Sequence, residues 1–128
     1  MLEKILLIED DKFFAVLTAK MLAPAAVRIA HNGAEGLEYL QAERFDLVIT
    51  DIVMPEKDGI ATIMEMRKSD PVTPILAMSG GGNIGTQGDL LLMAKQLGAT
   101  ATLVKPFNRE ALLAKVQECF PDRKIATP

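Results

Sequence analysis

Three carboxylates stand in a row at Glu9, Asp10 and Asp11, directly after the apolar run Ile5-Leu6-Leu7-Ile8. A lone acid, Asp51, follows a second apolar run, Leu47-Val48-Ile49. If both runs are neighbouring strands of one parallel sheet, their carboxyl ends lie side by side, where an open α/β sheet binds its ligands. Like charges sharing a small site repel unless a hard cation such as Mg²⁺ sits among them, so the pattern predicts a metal site. A hydroxyl, Ser79, and an ammonium, Lys105, close two further apolar runs. Together these groups are what Mg²⁺-dependent phosphoryl transfer to a carboxylate requires. The cation and Lys105 would offset charge on the phosphoryl oxygens, Ser79 would donate to one of them, and Asp51 would be the nucleophile.

The elements that must position these groups follow from the pattern of apolar residues. Short apolar runs at 4–8, 27–30, 46–50, 74–78 and 100–104 read as strands. Segments of helical period at 12–23, 33–43, 60–68, 87–97 and 109–120 alternate with them, the last capped by Asn108. Strict alternation implies right-handed crossovers and helices on both faces, hence a doubly wound α/β fold with a five-stranded parallel sheet. The chain has 128 residues, 49% of them hydrophobic, enough for one core and too few for two domains. Residues 122–128 form a short polar tail that is expected to fray from Pro121 onward.

A net charge of −3 with dispersed Lys and Arg offers no basic stripe for a phosphate backbone, which argues against direct nucleic-acid binding. The single cysteine, Cys119, excludes an internal disulfide, and there is no charged-then-apolar leader or long apolar stretch. A cytoplasmic protein with no membrane association is expected.

Five motifs in order carry a resemblance: the acidic pair Glu9-Asp10, Asp51-Ile52-Val53-Met54-Pro55, Asp58-Gly59, Ser79-Gly80 and Lys105-Pro106. With them the chain resembles a response-regulator receiver domain of the chemotaxis-regulator type over about residues 4–120, with residues 1–121 as the receiver unit. The resemblance implies a flavodoxin-like (βα)5 fold with strand order 2-1-3-4-5. It implies that Asp51 accepts a phosphoryl group from a histidine kinase or a histidine phosphotransfer protein. Asp10 would bind Mg²⁺ directly, Glu9 mostly through water, and Asp51 and the Val53 backbone carbonyl would complete the protein's share. Ser79 would move onto the phosphoryl group, Lys105 would pair with it, and the Lys105-Pro106 bond would be cis. The chain would then be no turnover enzyme but a phospho-accepting signalling module, working through an unknown downstream protein effector. A phosphorelay role, passing the group to a second histidine, stays open.

Ordinary roles compete at each position. Glu9 or Asp10 alone would serve as a helix cap, Asp11 reads as the capping or solvated member, and His31 as a loop residue. Asp58-Gly59 reads as the turn that enters a helix. A haloacid-dehalogenase-like phosphohydrolase also uses a strand-end Asp, Mg²⁺, a hydroxyl and a lysine, but it needs an acid two residues beyond the nucleophile. Val53 stands there and cannot protonate a leaving group. Departures from the family give further expectations. Thr102 occupies the place where many receivers carry a rotating aromatic, so switching should fall to Ser79, the loop after it and the smaller side chain of Thr102. Positions 79–88 contain five glycines, a loop that looks longer than usual. Val53 and Gly81, at the positions that hold or exclude attacking water in this family, bind none, so loss of the phosphoryl group should be slow. Phe13-Phe14 and Leu90-Leu91-Leu92 offer apolar patches for docking on the first and fourth helices.

Overall fold

The computed structural model describes residues 2–53, 59–80 and 84–125, with the backbone alone for 84–89. The Met54–Asp58 half of two motifs and Gly81 therefore lie outside the described residues. Five strands, β1 (Lys4–Ile8), β2 (Ala26–Ala30), β3 (Leu47–Asp51), β4 (Ile75–Gly80) and β5 (Ala101–Lys105), alternate with five helices. These are α1 (Lys12–Met21), α2 (Gly33–Ala42), α3 (Gly59–Ser69), α4 (Ile84–Leu97) and α5 (Arg109–Glu118). All strands pair in parallel in the order β2-β1-β3-β4-β5, the doubly wound flavodoxin-like arrangement.

Alternation along the strands builds two cores. Ile5 and Leu7, Leu47 and Ile49, Leu76 and Met78, and Ala101 and Leu103 pack with Ala15 of α1 and Leu112 and Val116 of α5. Leu6 and Ile8, Val48, and Ile75 and Ala77 face the other way, against Ile63 and Met66 of α3 and Leu91 and Ala94 of α4. The central β3 is buried along its whole length, which suits a strand covered on both faces. Helix starts follow their caps: Asp11 accepts from the Phe14 amide at 3.0 Å, Asn32 from Glu35 at 2.8 Å and Asn108 from Ala111 at 2.8 Å. Asp11 is thus the capping member of the acidic triplet.

Two expectations need correction. The long glycine-rich loop does not extend to Gly88, because α4 begins at Ile84 and runs through Gly85 and Gly88; helical packing overrides the unfavourable propensity of glycine there. The polar tail does not fray from Pro121. Gln117 donates to the carbonyls of Phe120 and Arg123 and accepts from the Ile125 amide at 2.7 Å, and Ile125 is 9% exposed within the α1/α5-side core. One apolar residue in a polar stretch suffices to dock it, since burying such a side chain is worth about 1.5–3 kcal/mol. Ile125→Ala should therefore lower stability by about 2 kcal/mol in urea unfolding, whereas a frayed tail would leave the midpoint unchanged.

Candidate functional site

β1 and β3 flank the point where the winding of the sheet reverses, and their ends lie together there. Ile8 pairs with Thr50, so the next residues, Glu9 and Asp51, stand beside each other, and Asp51 in turn pairs with Met78 of β4. Side-chain parity decides what meets. Glu9, Asp51 and Lys105 continue the odd-numbered positions of β1, β3 and β5, whose side chains face α1 and α5. On β4 the same face is reached by the even positions, Leu76 and Met78, and then by Gly80.

Lys105 must cross β4 to reach Asp51, and Gly80 leaves the lane open. Gly80 pairs directly with Lys105, and a Cβ there would overlap the Lys105 Cβ and meet its Cδ at 2.9 Å and its Cγ at 3.0 Å. With the lane clear, the Lys105 Nζ lies 2.6 Å from Glu9 Oε1 and 3.0 Å from Asp51 Oδ2. The Lys105-Pro106 peptide is cis, as is Ala23-Pro24. Gly59 plays a matching part below Asp51: its amide donates to the Ile52 carbonyl at 2.9 Å, and a Cβ would overlap the Asp51 carbonyl oxygen. Neither glycine had been singled out for this role. The signal lay in the sequence, since a glycine at the strand position beside Lys105 is visible once strands are registered.

Glu9 is fully buried and Asp51 is 5% exposed, whereas Asp10 is exposed at the rim. Carboxylate oxygens of all three lie within 4.8 Å of one another. Glu9 has both oxygens engaged, Oε1 by Lys105 and Oε2 by the Asp11 amide at 3.1 Å. Burial pushes the Glu9 carboxyl up to about 7, against the hydrogen bond from Lys105. Burial opposes the charge on Lys105 as well, but the hydrogen bond to Glu9 and the charge of Asp51 outweigh it and raise the ammonium above its usual range. Among the described residues, three carboxylates thus face one ammonium.

Among the other expected residues, Ser79 is buried next to Met78, the register partner of Asp51. Its parity is that of Ile75 and Ala77, opposite to Lys105. Thr102 is half-buried on β5 and pairs with Ala77. Val53 is 58% exposed. Two of the apolar patches are smaller than the sequence suggested. Phe13 is exposed but Phe14 turns inward, with its ring centroid 4.5 Å from the Lys105 Nζ, and Leu92 is exposed while Leu91 is core.

Comparison with known proteins agrees with this geometry. The response regulator receiver domain family matches residues 5–117, and the chain belongs to that family. It is a receiver domain of two-component response regulators, a class of phospho-accepting signalling domains that generally use Mg²⁺ at the acidic pocket and interact with histidine kinases or phosphotransfer proteins. It is 36% identical over 121 residues to the transcription factor SKN7 of Saccharomyces cerevisiae, covering 93% of this chain and 19% of that protein. It is 31% identical over 125 residues to the transcriptional regulatory protein GlrR of Escherichia coli, covering 96% and 27%. The chain therefore spans well under a third of the length of these two relatives. The chemotaxis protein CheY4 of Vibrio cholerae superposes with a TM-score of 0.81 at 31% identity, over 94% of this chain and all of that one. Among the described residues no helix is long and apolar enough to cross a membrane.

Filling the lane across β4 should displace the lysine. Gly80→Ala is expected to cost about 1–3 kcal/mol through overpacking and to abolish the Lys105–Asp51 contact. Urea unfolding reads the first effect, and the ammonium resonance of Lys105 in NMR spectra reads the second.

Proposed function

We propose that Asp51 is the phosphoacceptor of this receiver, taking a phosphoryl group from a histidine kinase or histidine phosphotransfer protein in a Mg²⁺-dependent reaction. The observation that carries this reading is the convergence of Lys105 on Asp51 and Glu9 in a pocket where, among the described residues, carboxylates outnumber cations. In the transfer, the P–N bond of the donor phosphohistidine breaks as a P–O bond forms to Asp51. The electron pair returns to the imidazole nitrogen. Lys105, already paired with the Asp51 carboxylate, holds the acceptor oxygen in place and offsets charge on the incoming group, and Ser79, whose strand parity is opposite to that of Lys105, would move onto the phosphoryl group to donate to one of its oxygens.

The donor set fits a hard divalent cation: all three side chains offer oxygen, and their charge exceeds what Lys105 neutralises. Asp10 and Asp51 would hold Mg²⁺ directly with the Val53 carbonyl, and Glu9 through water, consistent with its two engaged oxygens. When bound, the cation supplies charge neutralisation for the transferring phosphoryl group.

On the partner side, Phe13, Val16 and Leu17 expose apolar surface on α1, the helix that carries Phe14, and suit the phosphodonor protein. Leu92 and Met93 of α4 and Val104 of β5 are exposed elsewhere and suit an effector, with Ser79 and Thr102 as the switch between the two states. The reading is a signalling receiver acting by protein contact, and a phosphorelay intermediate would use the same site.

Mass spectrometry after incubation with acetyl phosphate and Mg²⁺ should show one added phosphoryl group on the parent chain and none on Asp51→Ala. With apolar Val53 beside the acceptor the adduct should decay slowly once donor is removed. A parent chain that gains no mass would defeat the proposal.

The raised Glu9 carboxyl gives a second expectation. A carboxyl that titrates near 7 is protonated below that pH, and Mg²⁺ must displace the proton, so affinity should fall as pH drops through about 7. Calorimetric titration at pH 6.5 should give a binding enthalpy that depends on the buffer's ionisation enthalpy. At pH 8.5, or in Glu9→Gln, that dependence should vanish.

A further inference from the structure

The pocket has a fourth wall that no carboxylate supplies. Lys105 Nζ lies 4.5 Å from the centroid of the Phe14 ring, on the α1 side of the site. Phe107, two residues after Lys105, meets the same ring edge-on at 5.5 Å and 77° and fixes its plane. Phe14 is held from behind as well, because its amide donates to the cap residue Asp11 at 3.0 Å. The Asp11 amide in turn donates to Glu9 Oε2 at 3.1 Å, and Glu9 Oε1 accepts from Lys105 at 2.6 Å. The contacts form a closed circuit: Lys105 to Glu9, Glu9 to Asp11, Asp11 to Phe14, and the Phe14 ring back to Lys105.

An ammonium is attracted to the face of an aromatic ring, and the more so where water is excluded; the Lys105 side chain is 17% exposed. The ring offers this attraction without competing for the hydrogen-bonding directions that Glu9 and Asp51 use. A lysine has four rotatable bonds and a flexible stem, so a site that needs its charge at one point must restrain it from more than one side.

We propose that Phe14 is a positioning residue for phosphoryl transfer, holding the Lys105 ammonium over the Asp51 carboxylate through its ring face; this rests on the reading of Asp51 as phosphoacceptor. Helix α1 then enters the chemistry through its first turn, because the cap that starts the helix also seats the ring. Leucine fills much the same apolar volume but has no ring quadrupole, whereas tyrosine keeps the ring.

The test compares the parent, Phe14→Leu and Phe14→Tyr, all checked for folding by thermal unfolding. In the parent and in Phe14→Tyr, NMR should show the Lys105 ε-methylene protons shifted upfield by the ring, and Phe14→Leu should lose that shift. With acetyl phosphate and Mg²⁺, Phe14→Leu should lose about tenfold in the maximal rate of Asp51 phosphorylation, equivalent to about 1.4 kcal/mol. The half-saturating donor concentration should stay unchanged. Phe14→Tyr should restore the rate. An unchanged rate in Phe14→Leu, or a lowered rate that tyrosine fails to rescue, would overturn the proposal. So would an unshifted Lys105 signal in the parent. A parent chain that takes up no phosphoryl group defeats the phosphoacceptor reading and this proposal with it, whereas an active parent with an equally active Phe14→Leu defeats this proposal alone.

Discussion

The bond on which the site depends is the one Lys105 makes from the far side of the sheet. β5 is an edge strand, two strands away from β3 and three from β1, yet its last side chain is the counter-charge for both of their acids. Without it, Glu9 and Asp51 would be buried carboxylates with no cation, a condition that costs several kcal/mol for each charged group unless one takes up a proton. Removing one partner of such a group leaves the others exposed to that penalty. The fold answers it by bringing the ammonium 2.6 Å from Glu9 and 3.0 Å from Asp51, and among the described residues an excess of negative charge remains there.

Much of the surrounding structure serves that reach. The two cores fix the strands so that odd positions of β1, β3 and β5 share a face, and close packing means none of them can slip by one residue without turning its side chains to the wrong side. Gly80 and Gly59 then supply close approaches at the points where the chain crowds the site. Away from the chemistry, polar groups secure the opposite edge. Asp46 accepts from the amides of Glu3 and Lys4, and Glu43 joins Lys4 to Arg28, so the start of β1 and the middle of β2 are pinned to the segment before β3.

The strands and the acid positions were legible in the sequence because both are periodic or contiguous signals. Apolar runs bounded by Glu9, Asp51, Ser79 and Lys105 can be read directly, and parallel pairing then places their ends on one edge. The helix boundary at Ile84 was not legible, since glycines at 85 and 88 argue locally for a loop while contacts made by the rest of α4 argue for helix. Ile125 was hidden for the opposite reason: a single apolar residue has no period, and only Gln117, eight residues earlier, shows where it docks. Phe14 carried an apolar label that sequence cannot divide between core, surface patch and pocket wall. That division depends on which turn of α1 faces β5.

The gap at Gly80 also sets what can lie across β4. Space one missing methyl wide, lined by the methylene stem that lies across it, admits a slender unbranched chain ending in a compact charge. Arginine carries the same Cβ, Cγ and Cδ atoms, so the lane passes either stem; the two differ at the tip, where Lys105 sets one compact ammonium between Glu9 and Asp51 and a guanidinium would bring a wider, forked plane. The passage itself is thus made by the neighbouring strand, at one residue that contributes no side chain at all.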